Sequence, residues 1–118
     1  MDFSTEEYSD QRAVVKVSGR LDADSAGALK AALKDAAAAG LIHLVVDMRD
    51  VSFIDSSGLS ALVSGFKAAR ERNGAFALAG VGPQIQMALE LTRLNRVFLV
   101  CSDVATAFAR FDELTASS

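Results

Sequence analysis

The chain has little of what several protein classes require. It holds one cysteine, one histidine, one proline and no tryptophan in 118 residues. The lone Cys101 excludes an internal disulfide and fits a reducing compartment. His43 and Cys101 cannot by themselves furnish the ligands of a zinc site, so no metal and no cofactor is expected. Positive charge is not in excess: 12 Lys and Arg stand against 15 Asp and Glu, a net charge of -3. That balance excludes the basic footprint of a nucleic-acid-binding protein and a polybasic membrane anchor. Asp, Glu, Lys and Arg interrupt every apolar segment, so no run approaches the roughly 20 residues of a membrane span. The opening residues, Met1-Asp2-Phe3-Ser4-Thr5-Glu6-Glu7, are acidic and carry no apolar stretch. No secretory signal is expected there, and the chain reads as cytoplasmic. There is no Gly-x-x-x-x-Gly-Lys-Ser/Thr loop for a nucleotide. There is no Gly-x-Ser-x-Gly elbow for a serine hydrolase either.

What is present is dense patterning. Hydrophobic residues make up 51% and charged residues 23% of the chain, a globular composition. The length suits one domain spanning 1–118, with a core at about 13–111 and a Ser/Thr-rich tail at 115–118 expected to fray.

The β-branched segment 13–18 predicts a strand, with 3–8 as a weaker hairpin partner. A helix is predicted over 24–39, capped by Asp24 or Ser25 and ended by Gly40, with Ala26, Leu29, Leu33 and Ala36 as its apolar stripe. The run Leu44-Val45-Val46 predicts a strand at 43–48 buried on both faces, followed by a connection through Val51, Phe53 and Ile54. A second helix is predicted over 57–73, its apolar face formed by Leu59, Leu62, Val63 and Phe66. Further strands are expected at 75–79 and 97–100. A short helix should open at Pro83, where a missing N–H costs nothing, and a last one after Asp103. The two glycines of Gly80-Val81-Gly82 lack a third in register and read as a turn. Alternating strands and helices with short connections predict an α/β domain. Its mixed, mostly parallel sheet would have four to five strands, with about four helices.

The segment Phe53-Ile54-Asp55-Ser56-Ser57-Gly58-Leu59 carries the chemistry. Asp55, Ser56 and Ser57 are all good helix caps, and a cap is the plain reading. Gly58 in the first turn is unfavourable by roughly 1 kcal/mol against Ala, which points to close backbone approach or an uncrowded surface. The functional reading makes Ser56 a phosphoacceptor. A phosphate there would meet the positive end of the helix dipole and free N–H groups. It would add about -1.5 to -2 charges without unfolding the domain. Ser57 is the alternative acceptor on chemistry alone.

Asp55-Ser56-Ser57-Gly58-Leu59 resembles the Asp-Ser-Ser/Thr-Gly signature of STAS domains, especially anti-sigma factor antagonists. Val17-Ser18-Gly19-Arg20-Leu21-Asp22, with Ser25-Ala26, resembles the same family's Gly-x-Leu-Asp-x-x-x-Ala stretch. Leu44-Val45-Val46-Asp47-Met48, before Val51-x-Phe53-Ile54-Asp55, keeps the family's order. The resemblance implies that the serine after the aspartate, Ser56, is phosphorylated. It implies that Asp22, Asp55, Ser56, Ser57 and Gly58 contribute to a partner surface. The unphosphorylated form would bind an anti-sigma factor that is a serine kinase of histidine-kinase-like ATPase fold, so releasing the sigma factor. A PP2C-type phosphatase would restore the switch. The chain itself would be a non-enzymatic monomer with no catalytic residues. The alternative is a STAS domain used as a non-phosphorylated scaffold or transport-system subunit. His43 and Cys101 are expected to be structural.

Overall fold

The computed structural model describes residues 2–116, with side chains through Leu114. Five strands form one sheet in the order β1-β2-β3-β4-β5. They are β1 (Asp2–Ser9), β2 (Arg12–Leu21), β3 (His43–Ile54), β4 (Ala75–Ala79) and β5 (Leu99–Cys101). The helices are α1 (Ala26–Ala38), α2 (Ser56–Glu71), α3 (Pro83–Leu91) and α4 (Val104–Ala116). β1 and β2 form the expected hairpin, antiparallel, turning at Gln11 in the left-handed region (φ 65). The other pairings are parallel. Of the tail expected to fray, 115 and 116 continue α4; Ser117 and Ser118 lie outside the described residues.

The sheet advances one strand at a time, so right-handed crossovers put α1, α2 and α3 on the same face. The side chains agree. Val15, Leu44, Val46, Leu78, Leu29, Leu62 and Ile85 form one core. Val14, Val45, Ala77, Ala79, Phe108 and Phe111 form a second beneath α4. Neighbours in β3 thus alternate between two buried faces, which is why its apolar run is continuous. The buried Leu29 and Leu33 of α1 are each worth about 2 kcal/mol or more by area removed from water.

The structure corrects the sequence reading at four places. β3 is one strand to Ile54 rather than a strand to 48 and a connection, because β2 also runs on to Leu21 beside it, through two register shifts. Its exposed Arg49, Asp50 and Ser52 break the apolar pattern there. β5 begins at Leu99, since a 3-10 turn occupies Leu94–Arg96 and leaves Val97 exposed. Ser25 precedes α1, but its side chain makes no cap bond. Its hydroxyl turns back instead and donates to the Arg20 carbonyl at 2.9 Å. Finally, α2 buries a face of small residues, Gly58, Ala61, Gly65 and Ala69, beside Leu59 and Leu62, while Val63 and Phe66 are only half-buried.

Asp47 is the one buried charge among the described residues, 3% exposed. Arg49 neutralises it by donating through Nε at 3.2 Å and Nη2 at 3.1 Å, with the Arg49 backbone N–H adding a bond at 3.2 Å. A buried carboxylate so paired is tolerated; an unpaired one is not.

Candidate functional site

The turn between β3 and α2 is built from the backbone outward. Asp55 adopts extended geometry (φ -119, ψ -171) as the N-cap of α2. Its Oδ1 accepts the N–H groups of Ser57 at 2.9 Å and Gly58 at 3.1 Å, and its carbonyl accepts the Leu59 N–H at 3.0 Å. The Asp55 N–H donates to the Leu21 carbonyl of β2 at 3.3 Å, fixing the turn to the sheet. This arrangement corrects one expectation. The N–H groups of Ser57 and Gly58 are not free for a phosphate; the Asp55 carboxylate already satisfies them. The Ser56 N–H, which Asp55 does not accept, and the macrodipole remain at the helix start.

Ser56 is the first helical residue and is exposed, whereas Ser57 is half-buried and Gly58 buried. Gly58 owes its place to contact. A Cβ there would lie 2.5 Å from the Leu21 carbonyl oxygen and 2.7 Å from Ile54 Cγ1. Only glycine lets α2 start this close to the ends of β2 and β3. That closeness brings the Asp22 loop beside the turn.

Asp22 is held firmly. Its N–H donates to Ser25 Oγ at 3.0 Å, its Oδ1 accepts the Asp24 N–H at 3.1 Å, and Arg20 Nε stands 3.7 Å from Oδ2. The Arg20 guanidinium also lies 4.2 Å over the Phe53 ring. Phe3, Arg20, Asp22, Asp24, Ser25 and Ala28 line an open cleft of about 400 Å³ along this edge. The structure therefore brings Asp22, Asp55, Ser56, Ser57 and Gly58 to one rim, at the carboxyl ends of β2 and β3.

One member of this rim has no signal in the sequence. Gln84, in the first turn of α3, accepts the Ile54 N–H through Oε1 at 3.0 Å and donates through Nε2 to the Ile54 carbonyl at 3.1 Å. The contact joins positions 30 apart, beyond the reach of periodicity.

The remaining candidates lie elsewhere. His43 opens β3, at the other end of the sheet, in a cleft of about 520 Å³ with Phe66, Arg70, Asn73 and Phe111. Among the described residues the lining holds no carboxylate to pair with the imidazole. Burial, then the nearby Arg12 charge, lowers the His43 pKa. Its Nδ1 is buried without a hydrogen-bond partner among the described residues. Cys101 is buried, which pushes its thiol pKa up and away from nucleophilic chemistry. Asp103 caps α4 by accepting the Thr106 N–H at 2.7 Å, and its bonds to Thr106 hold its carboxyl below the usual range. No group of three or more His, Cys, Asp or Glu among the described residues is placed to hold a metal ion. No described helix is long and apolar enough to cross a membrane.

The STAS domain family model matches residues 3–107. The chain belongs to the STAS domain family. Its relatives place it among the anti-sigma factor antagonists. It is 33% identical over 81 residues to the anti-sigma-B factor antagonist of Listeria monocytogenes, covering 69% of this chain and 71% of that one. A crystal structure of an anti-sigma factor antagonist from Mycobacterium paratuberculosis superposes with a TM-score of 0.81 at 28% identity, over 94% of this chain and 95% of the other. The same fold is seen in SpoIIAA of Bacillus in its phosphorylated form, with a TM-score of 0.74 at 18% identity over 92% of this STAS chain and 98% of that chain.

Proposed function

We propose that this STAS domain is a phosphorylation-controlled anti-sigma factor antagonist. Unphosphorylated, it binds an anti-sigma factor that is also a serine kinase, and the sigma factor is released. The kinase switches it off by phosphorylating Ser56, and a PP2C-type phosphatase switches it back on. The nucleotide and the catalytic groups belong to the kinase; this chain is a cytoplasmic, monomeric substrate and binding partner. Asp22, Asp55, Ser57 and Gly58 complete the surface that the partner reads.

The observation that carries this reading is the exposure of Ser56 on the first residue of a capped helix. The Asp55 cap holds the helix start before and after modification, so the phosphate need not displace any intrahelical bond. Phosphoserine adds about -1.5 to -2 charges at neutral pH to a chain of net charge -3. That charge lands beside Asp55 and near Asp22, on a surface already acidic. The bulk of the phosphate and the cost of desolvating its charge then lower affinity for a partner fitted to the neutral hydroxyl. The half-buried Ser57 is the poorer substrate.

The test is incubation with each serine-kinase anti-sigma factor encoded in the same genome, with ATP, followed by mass spectrometry of the peptide holding residues 55–59. Phosphate on Ser56 in the wild type, and none in Ser56→Ala, is the expected outcome. Phosphate on Ser57, or undiminished incorporation into Ser56→Ala, contradicts the assignment.

A further inference from the structure

We propose that Gln84 is the positioning residue of the acceptor turn: its carboxamide holds residues 54–56 in the shape the partner reads, and so ties α3 to the affinity of that turn. The inference rests on the reading of Ser56 above.

The ladder between β3 and β4 ends at Asp47 paired with Ala79, yet β3 continues to Ile54. On the β4 side, Ile54 has no strand to bond with. Gln84 takes that strand's place, receiving the Ile54 N–H at 3.0 Å and donating to its carbonyl at 3.1 Å. A carboxamide presents an acceptor and a donor in one plane, as a peptide group does. Glutamate cannot donate, and asparagine is one methylene shorter. The opposite edge of the turn is tied to β2 through the Asp55 N–H and the Leu21 carbonyl, 3.3 Å apart. The next two residues are the cap, Asp55, and the acceptor, Ser56. The turn is thus gripped from β2 on one side and from α3 on the other.

Gln84 is itself exposed, and the core face of α3 is carried by Ile85 and Leu89. Its removal takes no apolar side chain out of the core. It leaves the Ile54 N–H and carbonyl without their partner and lets the turn sample positions that a partner must then reorder, a cost paid at binding.

The experiment compares wild type with Gln84→Ala and Gln84→Met, the latter keeping the side-chain length without the bonds. Two quantities are read. The first is hydrogen exchange of the Ile54 amide, by NMR on the chain alone. The second is affinity for the serine-kinase anti-sigma factor that phosphorylates Ser56, with Ser56→Asp as control. Exchange of Ile54 about tenfold or more faster is expected in both variants, with the thermal midpoint within a few degrees of wild type and partner affinity about tenfold weaker. Unchanged Ile54 exchange overturns the proposal. So does faster exchange with undiminished affinity for a partner that Ser56→Asp fails to bind. A partner indifferent to Ser56→Asp overturns the Ser56 reading and this inference with it, and that control tells the two failures apart.

Discussion

At the residue scale, Ser56 and Gly58 sit two positions apart and do opposite work. Ser56 points to solvent and touches little that holds the fold. Ser56→Ala should therefore change the free energy of unfolding by no more than about 0.5 kcal/mol. Gly58 packs against backbone, with the Leu21 carbonyl oxygen 2.5 Å from where a Cβ would stand. A backbone atom cannot swing aside as a side-chain end can, so Gly58→Ala should cost about 1–3 kcal/mol. Urea denaturation of both variants checks the contrast. Equal stability of Ser56→Ala and Gly58→Ala contradicts the account of the turn. The glycine of the motif thus answers to packing: it admits the helix start to the sheet's edge and thereby sets where the serine is displayed.

At the scale of elements, α2 is a bridge between a polar rim and an apolar interior. Its start depends on Asp55, whose Oδ1 serves two N–H groups. Asp55→Ala should lower stability by about 1 kcal/mol and speed amide exchange at Ser57 and Gly58, while Asp55→Asn recovers most of the loss. Thermal unfolding and exchange measured together separate a lost cap from a lost surface charge. Much of this was legible from residue order. The β-branched run at 13–18, the double-faced run at 44–46 and the stripe of α1 each obey a single period. The rest was not, for physical reasons. The extension of β3 to Ile54 is paired on one side only, so its Arg49, Asp50 and Ser52 can be exposed and its pattern looks like a loop. Beside the legible Leu59 and Leu62, the buried face of α2 is glycine and alanine, which carry little hydrophobic signal, and Gly65 lets α2 pack closely on Leu33 of α1. Gln84 is recruited by a backbone gap that exists only once β4 has stopped short. The serine, the two aspartates and the glycine were visible as a motif; that Asp55 takes the N–H groups of Ser57 and Gly58 was a matter of geometry.

At the scale of the whole molecule, the two ends of the sheet are chemically separate. One rim carries Asp22, Asp55 and Ser56, and the opposite end carries His43 against Phe111, with ring centroids 6.3 Å apart. Burial and the Arg12 charge lower the His43 pKa in the fold, below its ordinary value of 6.5. The unfolded chain therefore binds this proton first. Stability from neutral His43 is fully present above about pH 6.5 and is lost as pH falls toward the depressed folded value. The stability of wild type relative to His43→Gln should accordingly shrink between about pH 7.5 and 5.5, measured by denaturant titration at each pH. A difference that grows on acidification contradicts this. Binding at the Ser56 rim should be untouched by His43→Gln, because the sheet lies between.

The separation suits the proposed switch: a scaffold anchored by two cores, on which phosphorylation of the exposed Ser56 hydroxyl would change charge while the fold stays as it is. The most direct measurement is a pair of numbers for Ser56→Asp, its affinity for the serine-kinase anti-sigma factor proposed as its partner and its thermal midpoint, each against wild type. The account predicts binding weakened by tenfold or more with a midpoint within a few degrees of wild type. Undiminished binding, or a midpoint lower by tens of degrees, contradicts it.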